Sequence, residues 1–200
     1  MVSRTEGYTN GFLLAHEIWV TDFNNAVIHR YKVQTGVFSE FATTSPTFDV
    51  AVAPNGIVWF IEGDGQIGRL DPTTGATTEI AVAGFPREIN IASDGAVWFT
   101  ERFAPQAVGR INPVPNPTSD DVRLFPVDGD PEDIAPAAGG SMWFTRSTAG
   151  NIARITPAGI ITTQSKSVKG SEPFGITVAT DGNPWFTMLS ADKIATLQLR

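Results

Sequence analysis

Five tryptophans recur along the 200 residues at nearly even spacing: Trp19, Trp59, Trp98, Trp143 and Trp185, separated by 40, 39, 45 and 42 positions. A period of about 40–45 residues is the mark of a β-propeller blade, a small sheet that buries its faces only by stacking on its neighbours. The surroundings repeat as well. Trp-Phe stands at 59–60, 98–99, 143–144 and 185–186, and Trp19-Val20 at the first position. A turn precedes each later tryptophan: Asn55-Gly56, Asp94-Gly95, Gly139-Gly140 and Asp181-Gly182. Such pairs supply the positive φ angles of tight hairpins.

Within each repeat the pattern gives four short strands, A to D, with the tryptophan on B. Strand A is apolar and alternating, as in Val50-Ala51-Val52; strand C carries Ile67-Gly68-Arg69, Val108-Gly109-Arg110 or Ile152-Ala153-Arg154; strand D is Thr-rich, as in Thr77-Thr78-Glu79-Ile80. No segment keeps a helical period. The expectation is an all-β, five-bladed β-propeller in one domain, 1–200, with blades near 9–41, 46–82, 86–126, 131–164 and 173–200. The last repeat stops after its C strand. Ser3-Arg4-Thr5-Glu6-Gly7-Tyr8 resembles a D strand, so residues 2–8 are expected to complete the last blade and close the ring. Gly11–Ala15 is read as the A strand of blade one.

Composition narrows the function classes. A net charge of −7 argues against nucleic acid, which needs a basic face. No apolar run reaches the roughly 18 residues of a membrane span, and the N-terminus lacks the pattern of a signal peptide. A cytoplasmic protein without membrane association is therefore expected. The absence of cysteine removes disulfides, thiolate metal sites and cysteine nucleophiles.

The run Pro-x-x-Ile, Asp-Gly, Trp-Phe-Thr-Glu, Ile-Gly-Arg-Ile-x-Pro resembles the streptogramin B lyases, also called virginiamycin B lyases. The segment Glu172-Pro173-Phe174-Gly175-Ile176, with Trp185-Phe186-Thr187-Met188 and Asp192-Lys193-Ile194, resembles that family's last blade. The family is seven-bladed, whereas this chain holds five repeats. The resemblance implies a magnesium-dependent carbon–oxygen lyase that opens a cyclic depsipeptide lactone by elimination. Such chemistry needs a base and a group that stabilises the enolate. The family's first histidine position is Glu132 here, its second is Phe174, and a glutamate position is Arg146. Glu172 alone is kept. The expected function is thus binding of a small molecule or peptide. The alternative is a lyase using Glu172 and Glu132 as its catalytic groups, with magnesium as cofactor.

Propeller topology brings the starts of the A strands and the ends of the B strands to one end of each sheet. The ligand rim is expected to hold Phe48, Arg87, Phe174, Arg146 and Met188. Asp22, Glu62 and Glu101, on successive blades, could hold a hard cation through oxygen. The only histidines, His16 and His29, read as structural or solvated. Trp59, Trp98, Trp143 and Trp185 read as packing between blades, and Arg30, Arg69, Arg110 and Arg154 on strand C as blade-to-blade bonds or solvated outer positions. The Pro-rich 112–121 segment reads as a stiff, exposed loop.

Overall fold

The hairpin signals translate directly into local structure. Gly56 and Gly95 take φ of 84° and 82°, a region costly for residues with a Cβ. The preceding Asn55 and Asp94 side chains accept the amides of Ile57 and Ala96 at 3.1 and 3.0 Å, fixing each turn from within. The molecule, a computed structural model, describes residues 11–14, 16–164 and 170–199. The segment 2–8, expected to close the last blade, lies outside these residues. Among the described residues the regular structure is strand, with three short 3₁₀ turns.

The chain groups into two compact units. In Met1–Phe85, β1 (Gly11–Leu14), β2 (Glu17–Asp22), β3 (Val27–Lys32) and β4 (Val37–Ala42) form one sheet, and β5 (Thr47–Val52), β6 (Val58–Glu62), β7 (Gln66–Asp71) and β8 (Ala76–Ala81) form another. All pairs are antiparallel and in chain order. Trp19 is buried against Val50, Val58 and Phe60 of the following sheet. Arg30, its cross-strand neighbour, lies 5.4 Å over the indole and over Phe41.

In Pro86–Arg200, β9 (Pro86–Ile91), β10 (Val97–Glu101), β11 (Ala107–Ile111) and β12 (Val122–Pro126) make a sheet; β13 (Pro131–Pro136), β14 (Met142–Arg146), β15 (Asn151–Ile155) and β16 (Ile161–Gln164) make a second; β17 (Pro173–Val178), β18 (Pro184–Met188) and β19 (Lys193–Thr196) make a third, of three strands among the described residues. Trp98 packs on Ile134, Met142 and Phe144, and Trp143 on Ile176 and Phe186. The expected packing between sheets thus holds for Trp98 and Trp143. Trp185 departs from it, being 43% exposed. The arginine expectation also changes. Arg110, like Arg30, lies over the tryptophan of its own sheet, 5.7 Å from the Trp98 ring, so its repetition follows from cross-strand cation–π pairing.

Candidate functional site

Register sets the site. Pro86 pairs with Glu101, Pro131 with Arg146 and Pro173 with Met188, so A-strand starts and B-strand ends do share one end of each sheet. A bulge follows each start, between Pro131 and Ile134 and between Pro173 and Ile176. Strand β13 packs against both β9 and β17, which makes Arg87, Glu132 and Phe174 equivalent positions on adjacent strands. The threonine of Trp-Phe-Thr fixes their backbone: Thr100 donates to the Glu132 carbonyl and Thr145 to the Phe174 carbonyl, both at 2.7 Å. Asp133 accepts the amides of Ile134 and Ile176, each at 2.7 Å.

Here three of the expected residues meet. The Glu132 side chain is only 2% exposed and faces two guanidiniums, with Arg87 Nε 3.3 Å from Oε2 and Arg102 Nε 3.0 Å from Oε1. Ser147 donates to Oε1 at 3.1 Å. The Arg87 contact is poorly aligned for a hydrogen bond, so its attraction is chiefly Coulombic. Arg87 also lies 6.0 Å from the ring centre of Phe174. Each arginine side chain is 35% exposed. A buried anion thus has two cations above it, both reaching solvent.

The residues that end the B strands behave otherwise. Glu62, Glu101, Arg146 and Met188 are buried, and the first and third pin the connection that enters their own sheet. Glu62 Oε1 accepts the amides of Thr44 and Ser45 and the Thr44 hydroxyl at 3.0–3.2 Å. Burial pushes its carboxyl above the ordinary range, against the Thr44 hydrogen bond. Arg146 donates to the Asp128 carbonyl at 2.9 Å, to the Asp128 carboxylate, and to Thr163 at 3.0 Å. Arg146 and Met188 therefore do not stand on an open rim. Phe48 is half-buried and rests 4.9 Å from Phe23.

Among the described residues no three His, Asp or Glu side chains converge as a metal ion requires. The Asp22 carboxyl is held below the ordinary range chiefly by the Asn25 side chain, 2.8 Å away, and faces His29 at 3.6 Å. Nor does Glu132 suit magnesium, because it is already shared by two arginines, whose charge repels a cation. Glu172 is exposed, accepts the Ser190 hydroxyl, and takes a left-handed φ of 47°.

Arg102 and Ser147 escaped the sequence reading. Each stands one residue past the B-strand position that was chosen. Side chains alternate along a strand, so Arg102 shares a face with Thr100, and Ser147 with Thr145, the threonines aimed at the following sheet. The threonine repeat was the available signal.

Sheets of this order, stacked through their tryptophans, define a β-propeller. Residues 107–200 match the model of the Virginiamycin B lyase family. The whole fold is similar to that of virginiamycin B lyase from Staphylococcus aureus, at 23% identity and a TM-score of 0.81, covering 96% of this chain and 70% of that one. A streptogramin B lyase gives 24% identity and 0.79, over 95% and 68%. A gluconolactonase from Xanthomonas campestris gives 17% and 0.69, over 96% and 72%. No curated protein matches in sequence. The chain is thus a β-propeller, and its residues 107–200 are similar to the Virginiamycin B lyase family. No helix among the described residues is long and apolar enough to cross a membrane.

Proposed function

We propose that this protein binds a small molecule or peptide at the end of the sheets where Arg87, Glu132 and Phe174 meet. One observation carries the reading: two half-exposed guanidiniums and an aromatic face are held in place by a buried carboxylate. Buried charges are costly unless paired, and this pairing fixes polar donors where a ligand could reach them. Phe174 cannot take a proton, and Arg146, always charged, is committed to Asp128. Both stand at positions where the lyase resemblance calls for acid–base groups.

A second reading keeps the lyase: Glu172 as base in opening a cyclic depsipeptide lactone. Its support is the retained Glu172-Pro173 pair, with Glu172 exposed and in a conformation that non-glycine residues adopt at a cost. Glu132 does not suit magnesium, so no step is assigned to that ion. The test is titration of the purified protein with a linear peptide and with a cyclic depsipeptide lactone, following the Phe174 environment by NMR and lactone opening by chromatography. Binding without turnover is the expected result. Robust turnover that Glu172→Gln abolishes would establish the lyase instead.

A further inference from the structure

The ligand chemistry can be taken one step further, resting on the binding site just proposed. We infer that the site takes a small carboxylic acid bearing an aromatic group, the carboxylate meeting Arg87 and Arg102 and the ring resting along Phe174.

The charge count comes first. Glu132 contributes one negative charge and the arginines two positive ones, so the trio retains one positive charge. Two of the nearby carboxylates are committed elsewhere. Asp133 is tied to the amides of Ile134 and Ile176, and Glu172 to Ser190. In a chain of net charge −7, a surplus cation that is anchored while still reaching solvent marks a place for an anion.

Geometry then selects the kind of anion. Each guanidinium carries five N–H donors, and both turn Nε toward Glu132. The terminal nitrogens have no other ion-pair or hydrogen-bond partner among the described residues. A guanidinium fork matches the two oxygens of one carboxylate. A single surplus charge balances a monoanion and leaves a dianionic phosphate half-paired. The flanks are apolar: Phe174 lies beneath Arg87, and Phe103, well exposed, lies 5.7 Å from Arg102. An aromatic ring beside the carboxylate would cover these faces while the charges pair. Glu132 is a positioning residue in this account, because its own oxygens point inward and meet the arginines.

The experiment compares N-acetylphenylalanine with its neutral amide by isothermal titration calorimetry, on the wild-type chain and on Arg102→Gln. Charge-assisted hydrogen bonds lost with Arg102 correspond to roughly tenfold or more in affinity. The expected result is that the acid binds, the amide binds at least about tenfold more weakly, and Arg102→Gln brings the acid down to the level of the amide. Circular dichroism checks the fold of that variant. Phe103→Ala, at an exposed position, gives a second variant and is expected to weaken the acid without altering its preference over the amide. Equal binding of acid and amide would overturn the carboxylate inference and leave the binding site standing. Failure of both to bind, while a cyclic depsipeptide shifts the Phe174 resonances, would do the same. If none of the three perturbs Phe174, the site itself falls.

Discussion

Thr100 and Thr145 do the same work one sheet apart. Each is buried and donates across to the carbonyl of the next A strand, at Glu132 and Phe174. The side chains around the cluster are thereby set by backbone held at hydrogen-bond distance, rather than by free loops. Glu62 shows how local position decides protonation. Unfolded, it titrates near 4.5; in the fold burial raises that value. A raised carboxyl contributes its full stability below the unfolded value, where both states are protonated. That contribution is lost as pH rises through the folded value, because the buried group must then ionise. Glu62→Gln keeps an oxygen for Thr44 and Ser45 and cannot ionise. Its melting temperature is expected to exceed that of the wild type at neutral pH, with the gap closing as the pH falls from the raised folded value to 4.5. Thermal melts across that range measure it, and a gap that widens toward acid would contradict the account.

At the scale of the strand pair, an aromatic ring of strand B lies over a glycine of strand C. Phe60 faces Gly68 and Phe99 faces Gly109 in register. A Cβ built on Gly109 would stand 2.0 Å from Phe99, a ring that is fully buried. Gly109→Ala is therefore expected to cost about 1–3 kcal/mol, the usual range for overpacking a tight core. Urea unfolding would read this as a lower midpoint with an unchanged slope. An unaffected midpoint would mean that the ring moves aside freely. The β14–β15 pair carries Ala153 opposite Phe144, so the demand for glycine belongs to particular sheets and not to the repeat. Element order, hairpin turns and the tryptophan-bearing strand were all legible in the sequence, because each depends on local chemistry repeated five times. Arg87, Glu132 and Phe174 were legible as equivalent positions for the same reason. The fate of Arg146 was not. The alternation that turns Thr145 toward the next sheet turns Arg146 back onto Asp128, and Asp128 lies in a connection whose sequence differs between repeats.

Across the whole molecule, the same residue type does unequal work because its partner is supplied by the sheet that follows. Trp98 is fully buried, between its own sheet and Ile134, Met142 and Phe144 of the next. Trp185 occupies the matching strand position and remains 43% exposed. Sequence could read the repeat and could not read this inequality, since burial depends on what lies opposite and not on the motif itself. The two sites sit in one compact unit, which makes them a fair comparison. Trp98→Ala removes a large ring from a packed interior and is expected to cost about 3–5 kcal/mol. That is a substantial part of a typical domain stability of about 5–15 kcal/mol. Trp185→Ala gives up much less packing and is expected to cost about 1 kcal/mol. Chemical denaturation of both variants, monitored by far-ultraviolet circular dichroism because tryptophan fluorescence changes with the substitution, measures the ratio. A cost for Trp185→Ala equal to that for Trp98→Ala would mean that the Trp185 face is covered in solution, and that the last sheet stacks as the earlier ones do.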